Sequence, residues 1–116
     1  MFEIEFYDKD DETSPVKDFI NGLPSKMQAK ILRLIDLLEV NGNELREPYS
    51  KPLSGGLFEL RCKQGTDITR IIYFFYIDKK IVLTNGFVKK KDKTPKSELN
   101  KAVKYKKDYI RRHKNE

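Results

Sequence analysis

One cysteine, one histidine and no tryptophan leave this chain short of the side chains on which most metal sites and nucleophilic enzymes depend. Cys62 has no partner for an internal disulfide, which fits a reducing compartment. With no histidine near it in sequence, it reads as a buried structural thiol rather than a nucleophile. His113 sits far along the chain and is expected in solvent, so a serine triad lacks its base. One thiol and one imidazole do not make a tetrahedral nitrogen and sulfur shell. Acidic residues concentrate in the first half, away from the lysine-rich stretch described below, which argues against a magnesium site. No metal or other cofactor is therefore expected. Glycine is also sparse, and Gly55-Gly56 is not followed by the Lys-Ser/Thr and helix of a phosphate-binding loop. No apolar run approaches the roughly 18 residues of a membrane helix. The first strand leads into an acidic stretch unlike a signal peptide, so a cytoplasmic protein with no membrane partner is expected.

Charge and aromatic residues are what the chain has in quantity. Seven Phe and six Tyr give bulk to one core, and 116 residues suit a single domain spanning 1–116. The formal charge of +6 hides an asymmetry. Residues 1–50 carry 6 Lys and Arg against 11 Asp and Glu, a net of −5, whereas residues 51–116 carry 18 against 7, a net of +11. A basic face of this kind is the electrostatic footprint of a protein that meets a polyanion.

The pattern predicts the order β-α-α-β-β-β-α, a small α+β fold with a mainly antiparallel sheet and helices packed on it. Phe2, Ile4 and Phe6 alternate with Glu3, Glu5 and Tyr7, giving a strand with one wet face. Ser14-Pro15 starts a short helix that Asn21-Gly22 ends. Met27, Ile31, Leu34, Ile35 and Leu38 form the buried stripe of a longer helix, and Leu32 and Leu37 widen it enough to suggest cover on a second side. The Pro- and Gly-rich residues 43–56 read as a loop with room for a short strand near Tyr49. Residues 57–63 alternate cleanly. Residues 68–77 are apolar on both parities, so they read as a central strand covered on both faces. Asp78-Lys79-Lys80 is a hairpin turn. In the strand that follows, Ile81, Leu83 and Phe87 share one parity. Thr94-Pro95 then reads as N-cap and first position of a last helix, whose inner stripe is Leu99, Ala102, Val103, Lys106 and Tyr109 or Ile110.

The chemistry gathers on the last three strands. Arg61 lies on one, Arg70 on the next, and Lys89, Lys90 and Lys91 end the third. Same-face residues on neighbouring strands lie about 5 Å apart, or about 7–8 Å diagonally, so these groups can converge on one anion. Arg70 interrupts an apolar strand, and its charge requires either a carboxylate partner or a ligand phosphate. A guanidinium fork matches phosphate oxygens and stabilises the charge of a phosphorane. RNA brings its own nucleophile, the 2′-hydroxyl, so its cleavage needs a base, an acid and charge stabilisation but no metal. A lysine crowded by other cations has a lowered pKa and can share in proton transfer. Passive binding of RNA by the same residues is the alternative.

Three segments carry a resemblance. KPLSGGLFELR (51–61), TRIIYFFY (69–76) and IVLTNGFVKKKDKTP (81–95), followed by a helix with LNKAVKYKKDYI, contain L-x-x-G-L-x-E-L-R, R-x-x-Y and G-F-x-K-K-x-x-x-T-P in order. In this the chain resembles the RelE/HigB superfamily of bacterial toxins, above all its phage-derived, HigB-like branch. The likeness covers residues 51–112 closely and residues 1–42 in pattern. It implies a RelE-like fold and the toxin of a type II toxin–antitoxin pair. Such a toxin is a ribosome-dependent mRNA endonuclease that leaves a 2′,3′-cyclic phosphate. It also implies a HigA-like helix-turn-helix antitoxin, with operator DNA reached only through that antitoxin. On this likeness Arg61, Arg70, Lys89 and Lys90 are the catalytic candidates. Lys51, Lys63, Lys91, Lys93 and Lys96 are the candidates for holding RNA or the ribosome. Several relatives use Tyr, or His with Asp, in proton transfer. Here the corresponding stretch is Lys-Asp-Lys-Thr-Pro, which leaves Tyr73, Lys91 and Lys93 as possible proton carriers, with Tyr73 reading first as a core aromatic. Glu59 reads as a partner for a neighbouring cation. A gyrase inhibitor on the same scaffold, like the ParE branch, and a plain RNA-binding module are the competing readings.

Overall fold

The computed structural model describes residues 1–89 and 93–114. It is an α+β fold: β1 (Glu3–Phe6), α1 (Pro15–Asn21), α2 (Ser25–Asn41), β2 (Ser50–Pro52), β3 (Leu57–Gln64), β4 (Asp67–Tyr76), β5 (Lys80–Lys89) and α3 (Lys96–His113). A five-stranded sheet runs in the order β1-β5-β4-β3-β2. Its pairings are antiparallel except that of β1 with β5. The short strand expected near Tyr49 is β2.

Local chemistry accounts for most of these elements. The Ser14 Oγ accepts from the Lys17 backbone N–H at 3.3 Å, capping α1 ahead of Pro15. The β4–β5 hairpin turns on Asp78 and Lys79, both in left-handed backbone with φ of 61° and 59°, a turn whose twist matches that of the strands it joins. Gly86 faces α1, and a Cβ there would stand 2.4 Å from the Phe19 ring, so only glycine lets the helix approach.

The sheet is covered on both faces. Against α1 and α2 lie Leu60, Cys62, Ile71, Tyr73, Ile81 and Leu83, packed on Val16, Ile31 and Leu38. Against α3 lie Leu57, Ile72, Phe74, Val82 and Phe87, packed on Ala102 and Tyr109. Cys62 is buried, as expected.

Several expectations are corrected. Phe87 does not share a face with Ile81 and Leu83. A bulge shifts the register between Ile72 and Tyr73, pairing Ile72 with Asn85 and Tyr73 with Leu83, so Thr84 is the extra residue and the parity of β5 reverses beyond it. The second face of β1 is wet only in part: Glu3 is exposed, but Tyr109 of α3 reaches over to Glu5, and Tyr7 is buried. The flank of α2 around Leu32 and Leu37 is exposed rather than covered, as are Val103 and Ile110 on α3. His113 is half-buried, its ring stacked 3.9 Å from that of Tyr109, with Nδ1 2.8 Å from the Tyr109 carbonyl.

The second half of α3 is fastened to β1 by polar groups. The Tyr7 hydroxyl donates to Asp108 at 2.6 Å, Arg111 and Arg112 donate to the same carboxylate at 2.6 Å each, and Tyr109 donates to Glu5 at 2.6 Å. Burial and then the bond to Asp108 push the Tyr7 phenol up to about 12. The bond from Tyr7, assisted by the two arginines, holds Asp108 down at about 2. A carboxyl depressed in the folded state contributes stability above its unfolded pKa of about 3.9 and loses it as pH falls toward the folded value. The raised phenol contributes below about pH 10 and loses it as pH rises toward the folded value. Stability should therefore fall between about pH 4 and 2 and again between about pH 10 and 12. Asp108→Asn should remove about 1–2 kcal/mol at pH 7, less than the full linkage value because part of the cluster is screened by solvent, and should flatten the acid limb. Urea unfolding across pH checks this; parallel acid limbs for variant and parent would contradict it.

Candidate anion-binding site

The site is built on the α3 side of the sheet, where β3, β4 and β5 continue past the start of the helix. Alternation along β3 puts Glu59, Arg61 and Lys63 on that face. Arg61 stands directly opposite Arg70 in the β3–β4 register, and Arg70 stands opposite Phe87 in the β4–β5 register. Lys89, two residues beyond Phe87, takes the same face through the parity reversal at Thr84. Lys51 on β2 is opposite Glu59. Arg61, Arg70, Lys89, Lys51 and Lys63 thus share one side of the sheet.

Glu59 is the hub of the group. It is 1% exposed, and its Oε1 contacts Nη1 of Arg70, itself 2% exposed. The Arg61 Nε lies 3.8 Å from the same oxygen. The other oxygen, Oε2, accepts from the Thr94 hydroxyl at 2.5 Å. Thr94 therefore does not cap α3, as its place before Pro95 suggested. Its side chain is drawn to the carboxylate, and Pro95 occupies the cap position with no side-chain bond.

The two arginines consequently differ in kind. A carboxylate matches Arg70, so the alternative that its charge is left open for a phosphate is corrected. A buried guanidinium against a buried carboxylate positions the strands and sets the local field. Arg61 keeps 28% of its side chain in solvent and touches Glu59 only through Nε at the edge of ion-pair distance, so its outer nitrogens are the ones in reach of a ligand. Lys89 is buried. Lys51, Lys63, Lys93 and Lys96 are exposed. Lys90 and Lys91 lie outside the described residues. Tyr73 is on the opposite face, buried in the α1–α2 core, its hydroxyl in contact with that of Ser50 and its pKa raised by burial, which removes it from the proton carriers.

Reading by sequence alone understated Glu59 and missed Thr94. The Glu-x-Arg spacing signals a shared face, but the inward pull on Thr94 is a tertiary effect with no local mark. The arrangement presents one accessible guanidinium, backed by a matched buried pair and flanked by exposed ammonium groups. It suits an anion with planar oxygens, such as a phosphodiester. Among the described residues there is no group of carboxylates, histidines or thiols able to hold a metal ion, and no helix long and apolar enough to cross a membrane.

Residues 18–107 match the family model described as Phage derived protein Gp49-like (DUF891). No curated protein matches the chain.

Proposed function

We propose, for a chain that belongs to this Gp49-like family of phage-derived, RelE/HigB-like toxins, that it is the toxin of a type II toxin–antitoxin system and cleaves mRNA on the ribosome. Family membership is consistent with a toxin–antitoxin toxin; the nuclease activity and its ribosome dependence are the further step. One observation supports that step most: Arg61 and Arg70 are register partners on the face that also carries Lys89, with Glu59 between the two guanidiniums. A scissile phosphodiester seated here offers its non-bridging oxygens to Arg61. The 2′-oxygen attacks phosphorus while its proton passes to a base. The P–O5′ bond then breaks, and O5′ leaves as a hydroxyl once it receives a proton. The products are a 2′,3′-cyclic phosphate and a free 5′-hydroxyl. Arg61 stabilises the charge that accumulates on the phosphorane, and Arg70 acts through Glu59 by holding it in place. Lys93 and Lys91 remain as candidates for proton transfer. A HigA-like antitoxin that masks the toxin and binds operator DNA completes this reading.

The test is primer extension on a translated message in cells expressing the protein. Cuts in codon register are expected. Purified protein with naked RNA is expected to cut poorly, because the candidate base and acid are not set up on the described face and ribosomal groups complete the set. Growth arrest without any new 5′ ends would overturn cleavage and favour a gyrase-type or passive RNA-binding toxin. Efficient cutting of naked RNA would overturn the dependence on the ribosome.

A further inference from the structure

A second cationic surface adjoins the site around the edge of the sheet. β2 pairs β3 only over Phe58, Glu59 and Leu60, so beyond Arg61 no described strand pairs with the outer edge of β3. A groove of about 300 Å³ runs between that edge, α2 and the Pro48-Tyr49 corner. Lys30 and Arg33 reach it from α2, and Arg61 and Lys63 from β3. Among the described residues no carboxylate lines it. The described ion pairs engage Arg61 but none of Lys30, Arg33 or Lys63. Lys30 is held there by its bond to the Lys63 carbonyl at 2.9 Å, an acceptor that carries no counter-charge. Tyr49, a residue 47% exposed, adds a large aromatic ring, and its backbone is fixed because its carbonyl accepts from the Arg61 N–H at 2.8 Å.

From this combination we infer that the groove is a binding subsite for one nucleotide of single-stranded RNA, with the base stacked on Tyr49 and its phosphate held by Lys30, Arg33 and Lys63. The inference rests on the proposed RNA substrate and extends it. Cations alone fit any anion; an exposed ring beside them, fixed through its backbone, is what a base requires and an acidic peptide does not. The volume suits one nucleotide rather than a folded partner. Arg61 belongs both to this groove and to the Glu59 hub, so the two sites share a side chain and adjoin. The subsite draws on two cations from the acidic half of the chain, where composition does not point to RNA.

The experiment is equilibrium binding of a fluorescent six-nucleotide adenylate RNA to the full chain. Tyr49→Ala is expected to weaken binding about 10-fold or more, and Tyr49→Phe to leave it within about twofold. Lys30→Ala with Arg33→Ala is expected to weaken it and to lower the slope of log affinity against log salt by about 1 or more. Thermal unfolding of each variant accompanies the titration, and Tyr49→Phe guards against a folding defect in Tyr49→Ala. If the parent binds the RNA and both sets of variants bind equally well, the groove is not an RNA subsite, while the reading of the main site stands. If the parent neither binds nor cuts RNA, both readings fall. Should hexaglutamate bind in a Lys30- and Arg33-dependent way while Tyr49→Ala leaves RNA binding unchanged, the groove belongs to an acidic protein segment and the inference is overturned.

Discussion

Glu59→Ala is expected to destabilise the protein by about 3–5 kcal/mol, the range for removing one member of a buried ion pair. The carboxylate is 1% exposed against a guanidinium 2% exposed, and it also receives the Thr94 hydroxyl. Its loss takes the counter-charge from Arg70 and the acceptor from Thr94 together. Glu59→Gln keeps an acceptor for Thr94 and should fall between parent and alanine variant. Urea unfolding measures the difference, which matters against a typical total stability of about 5–15 kcal/mol. A second arm separates charge from packing. Replacing the pair by Glu59→Leu with Arg70→Met should recover most of the stability, because apolar residues of similar size often substitute for a buried ion pair without loss. An alanine variant within about 1 kcal/mol of the parent would show that Arg70 does not depend on Glu59.

Much of this arrangement was legible in the sequence, and the parts that were not have identifiable causes. The alternation of β3 is clean, so Glu59 and Arg61 could be placed on one face, and a ten-residue strand apolar on both parities marked Arg70 as the anomaly that needed a partner. The β4–β5 hairpin and the α1 cap rest on residues whose backbone preferences are local. Phe87 failed because a bulge opposite Ile72 and Tyr73 is set by strand pairing, and period-two counting along β5 has no knowledge of it. Lys89 reached the right face only through that same irregularity. Thr94 failed because its hydroxyl, which as a cap would accept from its own helix, is drawn away to donate to a carboxylate thirty-five residues earlier. The parallel seating of β1 on β5, and the fixing of α3 to it through Tyr7 and Asp108, join distant segments that carry no shared pattern. The charge of each half was misleading in one respect: Lys30 and Arg33 stand on the acidic side of that division yet face the same edge as Lys63.

Arg61→Ala is expected to lower mRNA cleavage about 10²–10³-fold, the usual cost of deleting one group that stabilises a developing oxyanion. Stability should change by less than about 1 kcal/mol, because the side chain is partly solvated and its Glu59 contact is long. That split is what makes Arg61, rather than Arg70, the position at which to test the chemistry. Arg70→Ala would also reduce toxicity, but it leaves the Glu59 carboxylate buried without its closest cation, so a poorly folded variant and a catalytically dead one would look alike in a growth assay. Arg61→Lys sharpens the test. A lysine keeps the charge and loses the planar fork, so if bidentate recognition of the phosphate matters it should recover only part of the rate, whereas a purely electrostatic role would be largely restored. Single-turnover cleavage of a programmed ribosome gives the rate, and urea unfolding of the same preparations gives the stability. If Arg61→Ala folds normally and cuts as fast as the parent, the accessible guanidinium is not at the scissile phosphate. The shared face of β3, β4 and β5 would then serve binding alone.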